Sequence, residues 1–427
     1  MIKIKDLMNF LDKSVNEYYA SRNIQETLEN QGFTKLNMSD KWNLKNGASY
    51  YLVNDETSII AFKMGLKSHS GTPFQIVASH IDSPVLKLKP NGIIINSKFT
   101  KLNTEIYGGP ILYSWHDKPL SIAGRIFVKE NGIIVSKLVD SKNPVTIIPT
   151  PAIHLKQDVG LNPQKDLLPL ISLKDEESTI KLLKKIFKIK EEIVSFDLSL
   201  YNATKSTLLG VNQELLSSAR IDNLECAYTS LMSFIDSSCD DNINIYVSFN
   251  NEEVGSSTKQ GAGSTFLRDV LLKISGSEID LCERASKSFM VSADNAHGMH
   301  PNYPELADPT NMVYLNEGVV IKHNSQTRYT TDGLSNAVMV ELAEKAKSKI
   351  QHYTNRSDQR GGSTLGAIST TKVSMATVDI GLAQLAMHST YETAGVKDIE
   401  EMYKLLKTFY SLHICLGDKK IEIRGEC

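Results

Sequence analysis

Hydrophobic and polar positions change rhythm along the chain, and the change divides it into stretches of different architecture. Near the N-terminus Ile4, Leu7, Met8 and Leu11 recur at i, i+3, i+4 and i+7. That is the spacing of one apolar helix face. "SYYLVNDETSIIAFKMG" then reads as two short strands with a turn at Asn54-Asp55, and "FQIVASHIDSP", residues 74–84, as a buried-type strand running into a polar loop. From about residue 91 short β-prone runs such as "GIIINSKFTKLNTEIYGGPILYSW", "SIAGRIFV" and "GIIVSKLV" are divided by Gly, Pro and Asn, a strand-rich block closing near residue 215. Beyond it the pattern alternates. A helix at about 222–236 leads to the strand "NINIYVSF" and a helix after "GAGSTFLRDVLLKI". The strands "SFMVSAD" and "GVVIKHN", the helix "LSNAVMVELAEKAKSKI", the strand "TKVSMATVDI" and a last helix from about Asp398 follow. Alternating strands and helices predict an α/β sheet. The expected organisation is one α/β domain, residues 1–90 with 218–427, interrupted by a β-rich insertion over 91–217.

A length of 427 residues agrees with more than one core. A hydrophobic share of 41% and a charged share of 22% describe an ordinary globular chain, and the formal net charge of −2 supplies no field for nucleic acid or an anionic membrane. No apolar run approaches the roughly 20 residues that cross a bilayer. Charges interrupt the N-terminal segment where a signal sequence needs an apolar core. The five cysteines are odd in number, widely spaced and free of any CxxC pair. A reducing, cytoplasmic setting is therefore expected, and cysteine-based zinc binding is not.

The candidate chemistry lies where the predicted strands end. "ASHIDSP" supplies His80 and Asp82, "SSARIDNLE" Asp222, "SFNNEEVG" Glu252 and Glu253, "MVSADNAHGMHPNY" Asp294, and "LAQLAMHSTYE" His388. Ligands of open α/β sheets gather at the carboxyl ends of strands, so these segments could meet. Each also has an ordinary structural reading. Asp222 suits a helix N-cap, Asp294 a turn, His388 a satisfied core histidine, and the glutamates a solvated loop pair. Taken together, two histidines and several carboxylates without cysteine suit zinc, manganese or cobalt. Two ions roughly 3.5–4 Å apart need one bridging carboxylate and about two further ligands each, which five ligands and one free glutamate satisfy.

With "YGGPILYSWHDKPLSIAGR", "PAIHL", "NNEEVGSSTKQGAGS", "VIKHNSQTRY" and "GGSTLGAIS", these motifs run nearly the whole chain and resemble the aspartyl aminopeptidase family of zinc metallopeptidases. The resemblance implies an α/β/α hydrolase-like catalytic domain with a mixed central sheet, interrupted by a β-rich oligomerisation insertion. It implies two divalent ions per subunit, zinc first and cobalt or manganese as alternatives. His80 and Asp294 would hold one ion, Glu253 and His388 the other, and Asp222 would bridge. Asp82 would orient His80, and Glu252 would be general base and acid. Substrates would be peptides with a free N-terminus. Lys322, with Tyr329 nearby, would receive an acidic first residue, although members preferring neutral or basic residues keep that preference open. Gly362 in "GGSTLG" would flank the substrate; the run lacks the GK[ST] ending of a phosphate loop. The resemblance also implies a tetrahedral dodecamer built from dimers, in which His154 of "PAIHL" reaches a neighbour's active site. The role of His323 stays open. A shell protein without activity would have lost a ligand or Glu252, and all six positions are present. A deacylase or carboxypeptidase would not call for the insertion motifs.

Overall fold

The computed structural model describes residues 2–155, 160–238, 240–359 and 361–425. Its centre is a mixed nine-stranded sheet, in the order 34–35, 49–54, 58–64, 243–249, 74–80, 289–293, 376–381, 319–323, 350–354. Four adjacent strands in the middle, Ile243–Phe249, Phe74–His80, Phe289–Ala293 and Ala376–Gly381, are mutually parallel. The first three are buried at every residue. That explains their nearly unbroken apolar sequence: strands covered on both faces do not alternate.

One face packs under the helices Ile4–Lys13, Ile221–Ile235, Gly333–Ala346 and Val396–Ser411, whose core includes Leu7, Leu224, Met339 and Phe409. The other packs under Phe266–Ser275 and Glu278–Lys287 through Phe266, Leu267, Leu281 and Ala285. Within Phe74–His80 the side chains sort by parity, Ile76 and Ala78 to the second core and Val77 to the first. The expected α/β/α layering with a mixed sheet is thus observed.

Successive elements step from Phe74–His80 to one side (243–249) and then to the other (289–293). His80 therefore ends the strand at which the strand order reverses, where α/β sheets open a crevice.

Between Val85 and Asn202 the chain forms a separate six-stranded antiparallel sheet, in the order 133–140, 120–130, 192–202, 85–96, 99–107, 170–172. It has its own core around Leu86, Leu102, Ile122, Ile126 and Leu200. This block is not purely β: Thr179–Phe187 is a helix, capped by Ser178 and anchored by Leu182 and Leu183. A third, five-stranded sheet joins 207–209, 215–218, 392–395, 383–385 and 296–297.

Three further differences from the sequence reading have local causes. The strand expected over "TKVSMATVDI" begins only at Ala376, because Leu365–Ser369 and the turn after it occupy the preceding segment. The helix beginning at Gly333 stops at Ala346, where Lys347 takes left-handed dihedrals, and Ile350–Thr354 becomes an outer strand. Glu278–Lys287 is a helix that periodicity did not mark.

Candidate metal centre

The carboxyl ends of the parallel strands bring the candidate residues together. Phe249 pairs with His80 across the ladder, so the loop with Glu252 and Glu253 opens beside His80 and Asp82. Asp294 follows Phe289–Ala293, and its N–H donates to Ile380 O at 2.9 Å. That close approach needs Gly381, where an added Cβ would sit 1.9 Å from Asp294 O. The small third sheet delivers the rest. Asp222 follows Leu215–Ser218, and His388 lies in the loop between Ala383–Leu385 and Glu392–Gly395.

Asp222 divides its carboxylate between two histidines. Oδ1 lies 3.5 Å from His80 Nε2, and Oδ2 lies 3.5 Å from His388 Nε2. Each histidine faces a second carboxylate, Asp294 Oδ1 at 3.4 Å for His80 and Glu253 Oε2 at 3.4 Å for His388. Two half-sites therefore share one aspartate. Among the described residues, His80, Asp222 and Glu253 also offer ligand atoms within 4.8 Å of one another. Asp222 is not the cap of its helix; its backbone is non-helical, at φ −77° and ψ 110°.

Both imidazoles are held from behind. His80 Nδ1 lies 3.1 Å from the backbone oxygen of Asp82 and 3.4 Å from its Oδ1. His388 Nδ1 donates to Gly109 O at 3.0 Å. An Nδ1–H committed to an oxygen leaves the Nε2 lone pair facing outward, the orientation of a metal ligand. Here both Nε2 atoms face carboxylate oxygens. Asp222 Oδ1 and Glu253 Oε1 are buried without a hydrogen-bond partner. Such an arrangement costs several kcal/mol per ion unless a cation sits between the groups. The donor set of imidazole nitrogen and carboxylate oxygen fits zinc.

The titration behaviour carries the same signature. Burial raises Glu252 to about 8, with Asp294, Asp82 and Asp222 adding to the shift against the pull of His80. Glu253 rises well above its usual range, chiefly by burial and then by Asp222. Burial pushes His388 down, but Asp222 and Glu253 outweigh it and lift it to about 10. His80 likewise rises against burial, through Asp222, Asp294 and Asp82. The carboxylates crowd one another, and both histidines are drawn towards the charged form.

Asp82 anchors more than His80. Its Oδ1 accepts the N–H of Glu252 and its Oδ2 that of Glu253, both at 3.1 Å, and Tyr107 donates its hydroxyl to Oδ2 at 2.6 Å. The two glutamates are therefore fixed at their backbones by one carboxylate while their side chains diverge. Glu253 turns to His388, and Glu252 Oε2 stays 3.9 Å from His80 Nε2.

Lys322 is 2% exposed, with Nζ 3.1 Å from Asn295 O, 3.5 Å from Asp294 Oδ2 and 5.3 Å from the centre of the Tyr329 ring. Burial opposes its charge, but Asp294 first among its neighbours keeps it protonated. The loops of Tyr329 and Gly362 are tied to one point: Asp379 accepts from Thr330 N, Thr330 Oγ1 and Thr364 Oγ1, each at 2.6 Å. Gly362 itself is exposed, and an added Cβ would meet nothing within 4 Å. His154 lies on an exposed turn between exposed Ile153 and Leu155. His323 pairs with His352 at 3.0 Å.

Sequence reasoning passed over Tyr107, Glu392 and His297. Glu392 is buried and accepts from the N–H groups of Asp222 and His388. His297 is open to solvent, yet its pKa is lowered by its deep surroundings and by Lys322. Its place in the run "SADNAHGMHPNY" with Asp294 was the available signal.

Comparison with known proteins agrees along nearly the whole chain. The family model described as aminopeptidase I zinc metalloprotease (M18) matches residues 10–410. A probable M18 family aminopeptidase 2 of Clostridium novyi is 41% identical over 424 residues, 95% of this chain and 98% of the relative. The fold superposes on a structure described as the Ape4 and Nbr1 complex with a TM-score of 0.91 and 34% identity, covering 95% of this chain and 85% of the other. It also superposes on the S. cerevesiae mApe1 dodecamer with a TM-score of 0.84 and 24% identity, covering 95% of each chain.

Proposed function

The chain belongs to the M18 family of zinc aminopeptidases, hydrolases of peptide bonds, and from that premise we propose that it removes single N-terminal residues from peptides at a centre for two divalent ions. The observation that carries this reading is the split carboxylate of Asp222, one oxygen toward each histidine. Zinc is the first choice of ion and cobalt or manganese the alternatives, with His80 and Asp294 on one side, His388 and Glu253 on the other and Asp222 shared. Divalent ions bound there lower the pKa of water and polarise the scissile carbonyl.

The protein's own groups do the rest. Glu252 takes a proton at its carboxylate from the attacking water and returns it to the leaving amine. Its placement supports that division, since Glu253 faces His388 while Glu252 is the farther of the two from any imidazole. Asp82 holds the His80 ring and both glutamate backbones in register.

Lys322 leans the specificity toward acidic N-termini. Two of its three N–H groups are accounted for by Asn295 O and Asp294, leaving one for a substrate carboxylate. Tyr329 packs beside it, and Gly362 flanks the substrate. Neutral N-termini are the second reading, favoured by the pairing of Lys322 with Asp294.

The insertion expected over 91–217, whose six-stranded sheet runs from Val85 to Asn202, would be the assembly module of a homo-oligomer, a tetrahedral dodecamer of dimers, and the rest of the chain the catalytic unit. Exposed Ile133, Ile134, Ile153, Leu155, Leu173 and Val194 support a surface covered by further copies. His154 would there reach a neighbour's site and hydrogen-bond the developing oxyanion. The setting is the cytoplasm, supported by free Cys226, Cys282 and Cys415. Among the described residues no helix is long and apolar enough to cross a membrane.

A panel of N-terminal aminoacyl substrates, assayed with zinc, cobalt and manganese, tests the whole reading. Release of single residues, fastest for Asp or Glu, is expected. Cleavage only of N-blocked or internal bonds would refute it.

A further inference from the structure

Beside the centre lies a carboxylate whose hydrogen bonds reach two backbone N–H groups and one amide rather than an imidazole. Glu392 is 2% exposed, at the start of the strand Glu392–Gly395. Its Oε2 accepts the N–H of Asp222 at 3.1 Å, and its Oε1 accepts the N–H of His388 at 2.8 Å and Gln384 Nε2 at 3.3 Å. Gln384 in turn accepts from Asn295, the residue after Asp294, at 3.1 Å. The same Asn295 amide donates to Glu225 Oε2 at 2.9 Å. One side chain thus grips the backbones of the two segments that carry Asp222 and His388, and its relay reaches a third.

Both gripped segments have irregular backbone. Asp222 interrupts the helical dihedrals at the start of its helix, and His388 has φ 69°. A β-carbon-bearing residue at positive φ persists only where its surroundings over-determine it. For His388 those surroundings are the bond from its N–H to Glu392, the bond from Nδ1 to Gly109 O, and the bond from Ile111 N to its own carbonyl. All three hydrogen-bond partners of the Glu392 side chain are N–H donors. An acceptor-only carboxylate meets that demand, whereas an amide would turn N–H against N–H. A buried group in this position has no other means of satisfying the two orphan donors.

We propose that Glu392 is a positioning residue that sets the separation of Asp222 and His388, and thereby the affinity and geometry of the half-site these two share with Glu253. The inference rests on the dinuclear-centre reading above. It differs from the role of Asp82, which aligns a ring and two glutamate backbones.

The test compares the full-length parent with Glu392→Gln by zinc titration against a chromophoric chelator. Visible absorption of the cobalt-loaded proteins and separate kcat and KM values complete it. Glu392→Gln is expected to weaken zinc binding about 10–100-fold, the usual scale for groups that hold ligands from behind. It should also alter the cobalt absorption envelope, and lower kcat more than it raises KM at saturating metal. Glu392→Asp keeps the charge but is one methylene shorter and reaches only one of the two segments, so an intermediate loss is expected. It serves as the measurement if Glu392→Gln does not fold. Zinc affinity and cobalt spectra identical to the parent in the folded variants would overturn the proposal. A parent chain that binds no zinc would instead sink the dinuclear reading itself.

Discussion

The nine-stranded and six-stranded sheets draw on the same β-branched and aromatic residues and put them to opposite use. In the first, the central strands are buried at every position, and the charged residues of the candidate site stand at or just beyond their ends. In the second, one face closes over a core while Ile133, Ile134 and Val194 stay exposed. A sheet covered on both faces is stiff enough to hold ligands at its rim; a sheet covered on one face has surface left for another copy. The division is not absolute. The inner end of the insertion supplies Tyr107 to Asp82 and Gly109 O to His388. Changes at the first rim should therefore alter chemistry without altering mass, and changes on the outer face of the insertion the reverse.

The sharpest break of that contrast is at Glu252. Glu252→Gln should lower kcat about 10³-fold while both ions stay bound by elemental analysis; loss of an ion would return Glu252 to the ligands. Next comes the proton inventory of the metal-free centre. His388 at about 10 is protonated at neutral pH, Asp222, Asp294 and Asp82 draw His80 the same way, and ions bind only the neutral rings. Zinc affinity should rise steeply with pH above neutrality, since the two rings and Glu253, whose carboxyl is also raised well above its usual range, release protons on binding. Calorimetry in buffers of different ionisation heat would measure this, and a pH-independent affinity would contradict it. Lys322→Ala should cost about tenfold in kcat/KM on Asp or Glu N-termini, the scale of one lost charged hydrogen bond, and little on neutral ones. An equal loss on both would remove Lys322 from specificity. The mildest perturbation is Ile133→Lys with Ile134→Lys. Light scattering should find smaller species with unchanged zinc content, and turnover should fall no further than in His154→Ala.

Much of this was legible in the sequence for a physical reason: buried parallel strands are written as apolar runs, and the residues just after them stand out as His, Asp or Glu. The helix Glu278–Lys287 was not legible because its inner face is made partly of a buried ion pair, Asp280 with Arg284 at 2.5 Å, beside only Leu281 and Ala285. Periodicity counts apolar residues and misses a charged pair that packs like one. Thr179–Phe187 did carry a signal, Ser178 before Ile180, Leu183 and Ile186–Phe187, obscured by the β-prone runs around it. Tyr107 and Glu392 could not be read at all. Their partners are a distant carboxylate and two backbone N–H groups, and such contacts leave no spacing in the chain.

The two half-sites draw on residues from His80 to His388, with the whole insertion threaded between the first of them and the second. A ribosome must therefore deliver almost all of the chain before the last imidazole can meet Asp222. Until then a nascent chain carries histidines and carboxylates that no longer-range contact has gathered, so the proposed centre is among the last features of the fold to form.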